Sequence, residues 1–165
     1  MYVLASCGLV LLLLFGSPAT VWAGKKGPSG LPLPRFVSIQ GDKVNLRTGP
    51  GVRYPVVWVF VRANLPVLVT LEFENWRKVR DLDGAEGWVH RSLLTGRRHA
   101  VVTGQLRLLH REPRPDSPAI LRAEPGVIGR LLACREGWCR MEIDEVTGWL
   151  RKAHLFGALA GERFE

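Results

Sequence analysis

Between residues 36 and 157 the apolar positions fall in short runs rich in Val, Leu, Phe and Trp, broken every eight to twelve residues by Gly, Pro, Asn or Asp. Runs of that length, with turn formers at that spacing, predict strands of an all-β sandwich or barrel. In the first half the expected strands cover residues 44–47, 56–61, 67–73, 77–80 and 87–90. Residues 45–55 read as a long loop after the first strand, and Glu74-Asn75 and residues 81–86 as polar hairpin turns, the latter containing Asp83-Gly84. Ahead of this pattern, residues 24–34 hold turn formers and prolines without hydrophobic periodicity, and read as a flexible or polyproline lead-in.

The pattern occurs twice. Glu74-Asn75-Trp76-Arg77-Lys78-Val79 is echoed by Glu136-Gly137-Trp138-Cys139-Arg140-Met141, and Gly87-Trp88-Val89-His90-Arg91 by Gly148-Trp149-Leu150-Arg151-Lys152. Upstream, residues 46–50 lie over 109–113 and Tyr54-Pro55-Val56-Val57 over Ser117-Pro118-Ala119-Ile120, with an offset drifting only from 63 to 61. A unit of about 60 residues is therefore repeated, and two copies are too few for a solenoid. Each unit must close its own small barrel, the two joining near residues 95–99.

The first copy reads Val44-Asn45-Leu46-Arg47-Thr48-Gly49-Pro50-Gly51, then Tyr54-Pro55-Val56, Asn75-Trp76-Arg77-Lys78-Val79 and Glu86-Gly87-Trp88-Val89. In these motifs the chain resembles the bacterial Src-homology-3-like family, in the form found in exported proteins of Gram-negative bacteria. The second copy departs from the opening motif, with Leu109-His110-Arg111-Glu112-Pro113 where Leu46-Arg47-Thr48-Gly49-Pro50 stands. The resemblance implies two tandem five-stranded barrels used for binding cell-wall material or protein partners. The expected division is a signal peptide at 1–23, a Pro/Gly-rich linker at 24–35, a first SH3-like domain at 36–96, a second, divergent one at 100–157, and a tail at 158–165.

The leader expectation comes from residues 3–15, an uncharged apolar run followed by Gly16-Ser17-Pro18 and by Val21-Trp22-Ala23 ahead of Gly24. That is the layout of a secretory signal peptide cleaved after Ala23. A run of that length is shorter than the roughly 20 residues a spanning helix needs. Cys7 precedes most of the run, which places it within the leader and not at a lipoprotein cleavage site. The expected location is the periplasm or the cell surface.

The formal net charge of +8 is unevenly spread: residues 24–99 hold 13 basic and 6 acidic side chains, residues 100–165 hold 10 and 9. A cationic first module attracts anionic partners such as acidic wall polymers or phosphate-rich headgroups at the envelope surface. Export sets nucleic acid aside as a partner. A basic balance also serves solubility alone.

Candidate chemistry is sparse. Cys134 and Cys139 flank a four-residue turn on facing strands of a predicted hairpin, within reach of disulfide geometry, and outside the cytoplasm pairing is their expected fate. Zinc would need two more ligands at a suitable spacing, and only His154 is near. His90, His99, His110 and His154 are scattered, and Asp81 with Asp83 and Asp144 with Glu145 are explained by turn chemistry. No catalytic residue, metal site or cofactor is expected, and the chain reads as a non-enzyme. Trp76, Trp88, Trp138 and Trp149 recur in both copies and read mostly as core. Function is sought where the copies differ: Tyr54 and Trp58, replaced by Ser117 and Leu121 in the second copy, with Arg47, Arg53, Arg77 and Lys78 as a basic surround. Such a cluster can stack on sugar rings or a polyproline peptide while its cations meet carboxylate or phosphate. The leading expectation is recognition of peptidoglycan or another envelope component by the first module. The alternative is an envelope adaptor that binds a peptide segment of a partner protein.

Overall fold

The computed structural model of the protein describes residues 25–165, all of them strands, turns and two short 3-10 turns. The expected leader, 1–23, lies outside the described residues. The chain opens with a small hairpin, β1 (Lys25–Lys26) and β2 (Pro32–Leu33). The first sheet comprises β3 (Arg35–Ile39), β4 (Val44–Arg47), β5 (Val56–Phe60), β6 (Pro66–Phe73), β7 (Trp76–Arg80), β8 (Glu86–His90) and β9 (Leu94–Thr95). The second comprises β10 (His99–Val102), β11 (Arg107–His110), β12 (Ala119–Ala123), β13 (Ile128–Arg135), β14 (Trp138–Ile143), β15 (Val146–Arg151) and β16 (Leu155–Phe156).

The sequence repeat is a structural repeat. The first sheet runs β5-β4-β8-β7-β6-β3-β9 and the second β12-β11-β15-β14-β13-β10-β16, the same order strand for strand. The irregularities repeat too: the register shifts between Leu46 and Arg47 and between Leu109 and His110, and again at Val69/Leu71 and Leu131/Ala133. The five strands expected in the first unit are present within a residue or two at their ends. Two were not anticipated, β3 and the two-residue β9, which pair with each other and with β6 to complete the sheet.

Alternation along the strands decides which side chains form each core. In the first barrel Ile39, Val44, Leu46, Phe60, Val67, Val69, Val79 and Val89 point inward. In the second Val102, Leu109, Met141 and Leu150 do so with both cysteines. Cys134 and Cys139 are cross-strand partners in the β13–β14 hairpin, with a Cα–Cα distance of 4.1 Å, and they form a disulfide inside the core. Free-thiol titration of the mature protein, lacking residues 1–23 and with them Cys7, should find none when it is unfolded without reductant. Reduction should lower stability by about 2 kcal/mol, read as a shift of the denaturant midpoint.

Three expectations are corrected here. Three of the four recurring tryptophans are not core: Trp76, Trp88 and Trp149 are half-buried and alternate with the inward positions Arg77, Val79, Val89 and Leu150. Trp138 is 5% exposed but sits outside the core cluster, covered by its neighbours on the outer face. Residues 24–35 are not a simple linker, because Ser29 binds the Glu72 carboxylate through its backbone N–H (2.9 Å) and hydroxyl (2.8 Å), and Arg35 pairs with the same group at 2.6 Å. A polar side chain in the Gly/Pro run thus anchors the hairpin to β6. Nor do residues 158–165 dangle. Glu162 forms a two-pronged pair with Arg98, the Lys152 ammonium donates to the Ala160 and Glu162 carbonyls, and Phe164 bridges to Cys134.

Side chains of the two barrels are in contact. Phe36 and Phe156 meet edge to face at 5.0 Å, with the Arg98 guanidinium between Phe36 and Phe164. The Ser38 hydroxyl donates to the Arg97 carbonyl (2.7 Å), so the 3.0 Å contact with buried His99 Nδ1 requires the imidazole to donate. Burial, reinforced by the Arg130 and Arg97 charges, pushes the His99 pKa down and favours this neutral form.

Candidate ligand-binding face

Strands β4, β8 and β7 are neighbours, and their outward positions form one face of the first barrel. Across it Arg47 is the cross-strand partner of Trp88, and Trp88 of Lys78. The next row pairs His90 with Trp76, whose rings meet edge to face at 5.3 Å. Lys43, Asn45, Arg47, Val52, Trp76 and His90 line a shallow cavity of about 320 Å³ on this side. Two half-buried indoles with cations beside them offer flat apolar rings and charge together, which suits stacking on a sugar ring or peptide plane while meeting an anion.

A glycine makes this arrangement possible. Gly87, just before Trp88, faces inward against Leu46, and a Cβ there would stand 2.6 Å from Leu46 Cγ and 2.7 Å from the Arg47 carbonyl oxygen. Strand β8 can lie close to β4 only because position 87 has no side chain, and that closeness sets Trp88 beside Arg47. Gly148, before Trp149, holds the equivalent place against Leu109 and His110.

On the same face of the second barrel, arginines lie over the rings. The Arg135 guanidinium lies over the Trp149 ring at 4.8 Å and that of Arg151 over Trp138 at 4.4 Å, while His110 meets Trp138 edge to face at 5.8 Å. Where the first copy has His90 the second has Arg151, and where it has Arg47 the second has His110. Both replacements contact the Trp138 ring.

The residues singled out from sequence do not form one cluster. Arg47 clasps the loop between β4 and β5, its Nη1 donating to the carbonyls of Val52 (3.0 Å) and Tyr54 (2.8 Å). Tyr54 is 47% exposed, with its ring on the Gly49 and Gly51 backbone, where a Cβ at Gly49 would stand 2.4 Å from the ring. That contact accounts for Gly49 of the Gly49-Pro50-Gly51 motif. Arg53 is exposed on the same loop. Trp58, 54% exposed on β5, lines a different cavity of about 270 Å³ together with Leu82, Val101 and Gly126. Lys78 belongs to the face and pairs with Glu86 at 3.1 Å. Arg77 does not belong to it. Its side chain points inward, pairs with Glu72 at 3.1 Å and donates to the Glu74 and Trp76 carbonyls, so its charge is spent within the barrel.

Sequence reasoning missed Trp76, Trp88, His90 and Lys43 as site residues. The available signal was period-two alternation: in residues 76–80 and 86–90 the β-branched valines mark the inward positions and leave the tryptophans outward. Among the described residues no group of three or more His, Cys, Asp or Glu is placed to hold a metal ion.

The fold defines a small all-β barrel module, present twice. The chain belongs to the bacterial SH3 domain family, whose model matches residues 40–96 and again 106–157. Two solved structures, of NlpC2 and NlpC1 from Trichomonas vaginalis, are similar at 11% identity each, with TM-scores of 0.35 and 0.36. The likeness covers 76% and 85% of this chain and 48% and 51% of those, so the chain spans about half their length. No curated protein matches.

Proposed function

We infer that the protein is a non-enzymatic component of the cell envelope whose first SH3 module recognises peptidoglycan or another envelope polymer through the face of Trp76, Trp88 and His90. The observation that carries this reading is the contrast between the copies: among the described residues no guanidinium lies over Trp76 or Trp88, whereas in the second barrel Arg151 lies over Trp138 and Arg135 over Trp149. The second module acts as a disulfide-stapled support that holds the first in orientation. Arg47, Lys43 and Lys78 give the open face the charge to meet the carboxylates of a wall peptide or an acidic polymer.

Co-sedimentation of the intact protein with purified sacculi tests the reading. Binding should saturate and weaken as salt rises, since exposed attractions are screened over about 10 Å at 0.1 M ionic strength. Absence of binding to sacculi and to extracted acidic wall polymer alike would dismiss it. The location is tested separately. Protein isolated from its native envelope should have an intact mass that begins at Gly24, and a mass that retains residues 1–23, or a lipid adduct on Cys7, would place the protein differently.

A further inference from the structure

Enclosing a guanidinium group is costly unless an anion answers it. One cleft of the first barrel gathers four such groups. Arg35, Arg77, Arg91 and Arg98 line a cavity of about 390 Å³ together with apolar Phe36, Val37 and Leu94. The Arg35, Arg77 and Arg98 side chains are 15%, 9% and 18% exposed, while Arg91 is exposed. Glu72 meets Arg35 and Arg77 together, and Glu162 meets Arg98. Four cations thus face two carboxylates, and Arg91 forms no ion pair among the described residues. The Arg35 and Arg91 charges oppose that of Glu72 at Arg77 and, after burial itself, push its pKa down. A further anion in the cleft would relieve that repulsion.

The second barrel shows the corresponding place filled. Arg91 opens the 3-10 turn Arg91–Leu93, as Lys152 opens the turn Lys152–His154. Glu72 and Arg77 are cross-strand partners where the second copy has Cys134 and Cys139. Residues 160–164 run across that site as an extended segment. The Lys152 ammonium donates to the Ala160 carbonyl at 3.2 Å and to the Glu162 carbonyl, and the Phe164 and Cys134 backbones exchange hydrogen bonds of 2.9 and 3.2 Å. The cation at this position of the repeat therefore holds chain oxygens in one copy, and its counterpart Arg91 is free to do so in the other.

We propose that this cleft binds the carboxylate end of a short apolar peptide segment, with the carboxylate on Arg91 and Arg35 and the small side chains against Phe36, Val37 and Leu94. A guanidinium fork matches a carboxylate in two parallel hydrogen bonds. It matches a phosphate as well, and the apolar wall makes the choice: a free phosphate is hydrated all round and would leave Phe36, Val37 and Leu94 uncovered. The cleft shares no lining residue with the cavity on the ring face, so it is a second site, independent of the wall-binding reading.

The test titrates the intact protein with N-acetylated trialanine, with the C-terminal amide of the same peptide, and with inorganic phosphate, each followed by NMR. The free acid should saturate and shift the Leu94, Thr95 and Gly96 amides and the Arg35 and Arg91 guanidinium signals. Amidation should weaken binding by roughly tenfold, the scale of a lost charge-assisted pair. Arg91→Ala should do the same, and because Arg91 is exposed and unpaired the barrel stays folded. Trp88→Ala should leave the titration unchanged, which separates this cleft from the ring face, so failure of either reading leaves the other standing. The proposal is overturned if the free acid shifts none of these signals, if its amide binds equally well, if Arg91→Ala binds as wild type does, if the shifts fall on Trp76 and Trp88 instead, or if phosphate binds and the peptide does not.

Discussion

Replacing Glu72 by glutamine should destabilise the first barrel by about 3 kcal/mol, the scale seen when a buried ion pair loses one partner. The Glu72 side chain is 1% exposed, and its Oε1 is shared between Arg35 at 2.6 Å and Arg77 at 3.1 Å. The amide would leave two enclosed guanidinium groups without a counter-charge and loosen the hairpin that Ser29 fastens to the same carboxylate. The pH dependence should change with it. Burial pushes the Glu72 carboxyl up, but the Ser29 amide, the Arg35 guanidinium and the Ser29 hydroxyl outweigh it and bring the pKa down from 4.5 to about 2. A carboxylate with a depressed pKa adds stability that is fully present above its unfolded value and is lost as pH falls through its folded value. Denaturant titrations should therefore show wild-type stability falling between about pH 4.5 and 2, with a visibly flatter profile for Glu72→Gln.

Gly87→Ala should cost about 2 kcal/mol, in the range of overpacked cores. The added carbon would meet Leu46 Cγ at 2.6 Å and the Arg47 carbonyl oxygen at 2.7 Å. Leu46 can turn aside, but the carbonyl is backbone and is held by the sheet. The matching change Gly148→Ala should cost less, because its nearest contacts are Leu109 Cβ at 2.9 Å, Ile120 Cδ1 at 3.0 Å and the His110 carbonyl oxygen at 3.2 Å. Thermal or denaturant unfolding of the two variants checks the order. An equal cost would mean that β4 and β8 are not held together as tightly as these distances indicate.

The fold was legible in the sequence because two independent patterns agreed. Short Val-rich runs between turn formers predicted strands, and the offset of 61 to 63 residues showed that the strands form two copies of one unit. Strand β9, with two residues, offers too short a run to show a period, and β3, which follows Pro32-Leu33-Pro34 directly at the start of the expected first domain, alternates over too few residues to stand out. The cysteine pair was legible because a hairpin turn fixes which residues face each other. The site was less so. Position 77 in β7 reads as surface by residue type, yet it alternates in phase with Val79, and a charged side chain can take an inward position once Glu72 is there to meet it. Glu72 sits on β6, and nothing in the local sequence announces that Arg35 and Ser29 will converge on it from 37 and 43 residues away. The tryptophans read as core from their size and their recurrence in both copies, whereas period two places them outward. Whether an outward ring is open or capped depends on partners at other strands, such as Arg135 and Arg151, and that information exists only in the register.

The central claim is that the open ring face of the first module binds the envelope and its capped counterpart does not. The most direct measurement titrates purified sacculi with the intact protein and with its Trp88→Ala and Trp149→Ala variants, all shown to be folded by their unfolding transitions. Trp88→Ala should lose roughly tenfold or more in affinity, since one stacked ring contributes on the order of 1–2 kcal/mol, and Trp149→Ala should bind as wild type does. Equal losses in both variants, or a loss confined to Trp149→Ala, would contradict the account.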